Sequence, residues 1–241
     1  MPSSKKDGAG WIASPSHVLQ RREGVTGTFV VYGAAGSGSV PIEAALSLLE
    51  LPYRVEECAP WEGGQEASKL VGINPMLQVP ALALPTGDVI SESAAILIWL
   101  ADTYPDARLA PALTEAARPA FLRWMTYISS GIYALYWITD NPSRIIEGAE
   151  HHAAVKSRLF DRIAHCWELM EMQLRPGRYL LGEDLSVLDL YVATASRWSP
   201  GRRRFYEVAP GLAETIRRVD ADPRLTAIWA ERFPFTQGWE R

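Results

Sequence analysis

Thr28-Phe-Val-Val-Tyr-Gly-Ala-Ala-Gly-Ser-Gly-Ser-Val-Pro-Ile-Glu-Ala-Ala-Leu46 is the stretch on which the fold turns. Its β-branched and aromatic opening, through Tyr32, reads as a strand. The Gly/Ser-rich residues 33–39 read as a loop, and residues 41–51 carry apolar side chains at helical spacing. Pro41 suits a first helical turn, where its missing N–H forfeits no bond, and Ser39 just ahead of it is placed as a cap. Leu51-Pro-Tyr-Arg-Val-Glu-Glu57 then reads as a second strand, so the unit is βαβ with a parallel pair.

Working outward, residues 65–71 read as a helix and Gln78-Val-Pro-Ala-Leu-Ala-Leu84 as a strand. Pro85-Thr-Gly87 is a turn, Asp88-Val-Ile90 the returning strand, and residues 94–104 a helix opened by Ser91 or Glu92. Pro80 cannot donate to a ladder, so it marks an edge position or a special turn, the cis kind included. The order β-α-β-α-β-β-α over residues 28–104 predicts an α/β thioredoxin-like domain. Past Pro105 strand signals vanish. Residues 105–113 read as a linker, and residues 114–241 as an all-α domain with helices over 114–137, 150–174, 187–198 and 210–219. Upstream, residues 1–27 have no sustained period and read as a disordered extension.

The 241 residues are 48% apolar and 22% charged, ordinary for a globular chain and incompatible with a mostly disordered or fibrous one. A formal net charge of −4 argues against a general nucleic-acid surface and against adhesion to an anionic membrane, which leaves a small molecule as the expected partner. The longest uncharged stretches, 24–42 and 70–87, are broken by Gly, Pro, Ser and Asn and do not read as membrane spans. Residues 1–27 lack the apolar core of a signal peptide. Cys58 and Cys166 show neither metal-ligand nor disulfide-scaffold spacing, which fits a reducing compartment; a cytoplasmic location is expected.

Three motifs carry a resemblance to the cytosolic glutathione transferases over residues 28–229: Asn74-Pro75 with Gln78-Val79-Pro80-Ala81-Leu82, Ser91-Glu92-Ser93-Ala94-Ala95-Ile96 leading to Trp99-Leu100, and Ser186-Val187-Leu188-Asp189. The resemblance implies that glutathione is bound by Gln78, Val79, Pro80, Glu92 and Ser93. The residues carry a physical reading of their own. A strand turned out of register at Pro80 leaves Val79 free to pair with an extended tripeptide. Helix N–H groups and the Ser93 hydroxyl converge on one anion, while Glu92 accepts from an ammonium group, a combination suited to an amino-acid head group. Ser186 and Asp189 form a capping box, so Asp189 is structural.

A thiol of pKa about 8.5 is mostly protonated at neutral pH, so a glutathione-using protein must stabilise the thiolate. The family places the donor at the first strand-loop-helix junction, where Ser37, Tyr32 and Ser39 compete, in that order of preference. No cysteine lies in the loop, which disfavours thiol-disulfide chemistry, and Cys58 and Cys166 read as buried structural thiols. Met76-Leu77 departs from the small or basic residues of many members; Trp61 and Gln65 are candidate substitutes for the lost contacts. Trp124 and Tyr127 are picked from the aromatic-rich first helix of the second domain as the surface for a hydrophobic electrophile. His151-His152 point about 100° apart on a helix, have no third ligand and imply no metal. Arg202-Arg203-Arg204 reads as a solvated loop. The implied function is a dimeric glutathione transferase. A glutathione-dependent lyase or reductase, or a non-catalytic binding protein of the same fold, stand as alternatives.

Overall fold

The computed structural model describes residues 27–236, so the expected extension lies, apart from Gly27, outside the described residues. Strand β1 (Phe29–Gly33) pairs in parallel with β2 (Tyr53–Glu57), Phe29 opposite Tyr53 and Gly33 opposite Glu57. On its other side runs antiparallel β3 (Ala81–Ala83), Tyr32 opposite Ala81, and β3 carries β4 (Val89–Ser91), giving the order β2-β1-β3-β4. Helix α1 (Val40–Leu48) links the parallel pair, α2 (Gly64–Ser68) precedes β3, and α3 (Ser93–Thr103) follows β4. This is the thioredoxin-like arrangement the sequence predicts. Several expected elements contract, among them the helices expected over 41–51 and 187–198, which end at Leu48 and Ala195. The 65–71 helix is a single turn and a half ending at Ser68, and the strand expected from Gln78 begins at Ala81, because Pro80 withholds an N–H and leaves Gln78 and Val79 off the ladder.

Side chains alternate along β1, so Phe29 and Val31 are fully buried on one face while Val30 and Tyr32 are half-buried on the other. Phe29 meets Trp99 of α3 edge-on at 6.5 Å. Helix α1 is mostly apolar, with Val40, Ile42, Ala44, Ala45 and Leu46 all buried and Glu43 the one charged residue among them, because it lies between the sheet and α7 (Val187–Ala195) of the helical half. Burying each larger aliphatic side chain contributes about 1.5–3 kcal/mol, which offsets the low polarity that would otherwise make such a helix insoluble.

The helical half opens with α4 (Arg118–Tyr127), a π-helical segment Ile128–Tyr133 and α5 (Ala134–Asp140), where the sequence predicted one continuous helix. It continues through α6 (His152–Gln173), α7, α8 (Arg202–Val208), α9 (Pro210–Asp220) and α10 (Thr226–Arg232). Asp189 caps α7 from inside: its two carboxylate oxygens take the Leu180 and Ser186 N–H groups, each at 2.9 Å, and the Ser186 hydroxyl at 2.7 Å. Burial raises the Asp189 carboxyl to about 6 despite these bonds. Helices α8 and α10 were not anticipated, and the triple arginine is not a solvated loop. Arg202 is buried, donates to the Ala193 carbonyl at 2.6 Å and forms an ion pair with Asp220, a partner on α9 that local charge counting does not see. Among the described residues no helix is long and apolar enough to cross a membrane.

Candidate functional site

The loop after β1 folds back on itself because Gly33 has no side chain: a Cβ there would stand 2.2 Å from the Ser39 Cβ. Ser39 is fully buried, and its hydroxyl donates to Glu43 Oε1 at 2.8 Å and lies 3.3 Å from the Ala34 carbonyl. It stands at the start of α1 but makes no side-chain capping bond, so the cap expected there is replaced by a bond to Glu43, one helical turn on. Ser37, 8% exposed, accepts the Ala34 and Ser39 N–H groups, each at 3.2 Å, and its oxygen lies 3.1 Å from the Ser39 hydroxyl.

The loop backbone is gripped from the helical half. The Gly36 N–H donates to the Arg232 carbonyl at 2.7 Å, and the Trp198 indole N–H donates to the Gly36 carbonyl at 2.6 Å. From α3, the Ser93 hydroxyl reaches the Gly38 carbonyl at 3.2 Å. Tyr133 closes the same corner. Its ring packs edge-on against Trp198 at 5.0 Å and tilted against Tyr191 at 6.1 Å. Its hydroxyl is 2.1 Å from where a Gly38 Cβ would stand. Burial pushes the Tyr133 phenol up to about 12, a Ser93 hydrogen bond opposing and the Glu92 and Asp140 charges adding to it, so it acts at neutral pH only as a neutral phenol.

Across from the loop, the Val79–Pro80 peptide is cis and Pro80 is buried. Asn74 sets up this approach: its amide donates to the Gln78 carbonyl at 2.8 Å, and its side-chain oxygen takes the Met76 N–H at 3.1 Å. The Val79 N–H and C=O make no hydrogen bond among the described residues. Glu92, exposed at the head of α3, has φ +72 and ψ 112, a conformation L-residues avoid, while Ser93 beside it is 5% exposed.

Of the residues singled out from sequence, Ser37, Ser39 and Ser93 meet around one loop. Tyr32 leaves β1 on the face opposite Val31, whereas the missing Gly33 side chain points from Val31's face into Ser39, so the tyrosine and the serines lie on opposite sides of the strand. Trp124 is 2% exposed, and Tyr127, edge-on to it at 5.3 Å, spends its hydroxyl on the Cys166 carbonyl of α6 at 3.1 Å. The aromatic residue of this helix that reaches the loop is Tyr133, not either of these. A π turn takes one residue more than an α turn, so the phase read from Trp124 and Tyr127 does not carry past Ile128. Trp61 and Gln65 are exposed around α2, and Met76 and Leu77 are exposed beside Val79. Cys58 and Cys166 are free and buried. Among the described residues no group of three His, Cys, Asp or Glu could hold a metal ion. Glu43, Trp198 and Arg232 escaped sequence reasoning; an acidic residue inside the otherwise apolar α1 was the one available signal.

The family model for the glutathione S-transferase N-terminal domain matches residues 39–103. An uncharacterized GST-like protein of Escherichia coli (strain K12), YncG, is 29% identical over 199 residues, which covers 82% of this chain and 95% of that protein. A solved glutathione transferase from Methylococcus capsulatus str. Bath is 26% identical with a TM-score of 0.70. A glutathione transferase homolog from Sulfitobacter, crystallised with glutathione, is 23% identical with a TM-score of 0.75 and supports the fold alone. Both structures cover 85% of this chain and 98% of their own. Residues 39–103 thus match a glutathione S-transferase N-terminal domain, and the chain as a whole is similar to glutathione transferases, in sequence and in two-part architecture, along most of its length.

Proposed function

We propose that this protein binds glutathione, lowers the pKa of its thiol and directs the thiolate at a hydrophobic electrophile, as a glutathione transferase. The hydrogen-bonding state of Ser37 carries the reading. Its two lone pairs already accept N–H groups, so the hydroxyl proton is the part of the residue left to offer, and a donor is what a thiolate needs. Val79 offers an unpaired N–H and C=O to an extended peptide backbone, with Gln78 and Pro80 framing them, and Glu92 and Ser93 offer the chemistry of an amino-acid head group. The electrophile lies against Tyr133 and Trp198, whose rings form an apolar wall beside the loop. Buried Cys58 and Cys166 supply no second thiol there, which favours addition or displacement over disulfide exchange. The reading includes a homodimer, for which the exposed apolar Trp61, Val71, Met76 and Leu77 are available surface, and a reducing cytoplasmic setting.

Glutathione at a hundredfold excess over its Kd should stabilise the protein by about 2.7 kcal/mol, read as a rise in Tm. Glu92→Ala and Ser93→Ala should each diminish that rise. Ser37→Ala should raise the pKa of the bound thiol by about one to two units, the loss of a charge-assisted bond, while Tyr32→Phe stays close to wild type. A wild type unmoved by millimolar glutathione would refute the binding assignment. A raised thiol pKa in Tyr32→Phe with an unchanged one in Ser37→Ala would move the donor role to the tyrosine.

A further inference from the structure

Arg232, the last residue of α10, touches the β1–α1 loop twice. Its carbonyl takes the Gly36 N–H at 2.7 Å, immediately before Ser37. Its guanidinium holds Glu43 Oε2 at 2.6 Å and Oε1 at 3.3 Å, and Glu43 Oε1 in turn takes the Ser39 hydroxyl at 2.8 Å, immediately beyond Ser37. One side chain and its own carbonyl therefore bracket Ser37 from both sides. Glu43 is fully buried, and its neighbours explain how a carboxylate survives there. Arg232 lies against it, Glu57 of β2 binds the far side of the same guanidinium at 2.5 Å, and the Tyr53 phenol of β2 is near. The Glu43 carboxyl is raised on balance, burial outweighing the bonds from Arg232 and Ser39 that pull it down. A guanidinium stays charged at any pH the fold survives, so it keeps Glu43 ionised.

We infer that Arg232, acting through Glu43 and Ser39, is a positioning residue for the Ser37 hydroxyl, so that the C-terminal helix sets the geometry of thiol activation. The chain of donors has one direction. An ionised Glu43 can only accept, so the Ser39 proton points to it, and the Ser39 oxygen is then able to accept from Ser37. In the free protein the Ser37 proton rests on Ser39; with a thiolate bound it turns to sulfur, a rotation about one C–O bond with no heavy atom displaced. Both anchors hold the Ser37 oxygen where that rotation ends on the ligand, and a hydrogen bond displaced by a few tenths of an ångström loses much of its strength.

The inference rests on Ser37 as the donor, and its test separates the two. Arg232→Met keeps much of the stem and removes the charge; the Glu43→Gln/Arg232→Met pair removes both charges and avoids a lone buried carboxylate. Each is made with Ser37 and with Ser37→Ala. The pKa of bound glutathione is followed by thiolate absorbance, and S-methylglutathione, which has no thiol to ionise, reports affinity through the remaining contacts. Both variants should raise the thiol pKa by about one unit and lower kcat/KM at neutral pH about tenfold. S-methylglutathione affinity should change less than about threefold. With Ser37→Ala already present, neither should add a further shift. A shift of the same size without Ser37 would mean that the charge acts on sulfur directly, and overturns the inference, as does an unchanged thiol pKa in the double variant. If Ser37→Ala alone leaves the pKa unmoved while S-methylglutathione still binds, the donor assignment and this inference fall together and glutathione binding stands. If S-methylglutathione does not bind the wild type, the proposed function itself is wrong.

Discussion

Glu92 combines a backbone conformation of about 1–3 kcal/mol strain with an exposed carboxylate at the mouth of the site, two properties with no structural advantage to the free protein. Its carbonyl accepts the Ile96 N–H at 2.9 Å, so the residue starts α3 although its side chain makes no capping bond. Glycine occupies positive φ without strain but loses about 0.5–1 kcal/mol more backbone entropy on folding, so the relief of strain equals or modestly exceeds the cost. Glu92→Gly should melt within a few degrees of wild type and yet lose most of its glutathione-dependent Tm rise. A large drop in the unliganded Tm would show that Glu92 is a folding residue first. The motif was legible in the sequence because Ser91-Glu92-Ser93 has a recognisable order. The strain was not, since a φ angle is imposed by how β4 delivers the chain to α3.

At the scale of the element, the helix from Arg118 to Asp140 shows how a correct helix assignment can still misplace side chains. Composition and spacing gave its existence, and Tyr133 was visible among its aromatics. The π segment Ile128–Tyr133 changed which face its second half presents, and no residue in Ile-Ser-Ser-Gly-Ile-Tyr announces a π turn. The outcome is a phenol aimed at Gly38 and penned between Tyr191 and Trp198, so it cannot retreat from an added methyl group. Gly38→Ala should therefore destabilise the protein by about 1–3 kcal/mol and distort the Ser37 loop, an overpacking effect. Tyr133→Phe removes the clashing oxygen. The Gly38→Ala/Tyr133→Phe pair should recover most of the lost Tm, and a strictly additive pair would mean the obstruction is the Gly38 backbone itself. Helix α8 teaches the complementary lesson. Three consecutive arginines look solvated until Asp220 and the Ala193 carbonyl, supplied by α9 and α7, are set beside Arg202.

Across the whole molecule the two halves share one apolar core. It runs from Phe29 and Val31 through α1 and α3 to α7 and on to Trp229, with no seam at the residues that the sequence marks as a linker. The Arg118–Asp102 pair, with bonds of 2.8 and 2.7 Å, ties α4 to α3 across that segment. Thermal unfolding followed by far-UV circular dichroism and by tryptophan emission should give one coincident transition. Separate midpoints would show that the halves melt independently. The two-part plan was legible because strand signals stop at Pro105. The continuity of the core was not, since an α1 that is apolar but for Glu43 and Ser47 reads equally as a helix buried in its own domain or one shared with another.

The pairing of Glu43 with Arg232 also has a consequence for how the protein is made. The two residues stand 189 positions apart, so the loop after β1 is completed by a side chain translated long after it. Domains tend to fold in the order of synthesis, and the first half can assemble its sheet early, but Glu43 then waits in a closing core for a counter-charge not yet translated. A product clipped before α10 should keep the residues of the candidate site but leave Glu43 without its guanidinium, and is expected to be digested faster than the intact chain in limited proteolysis.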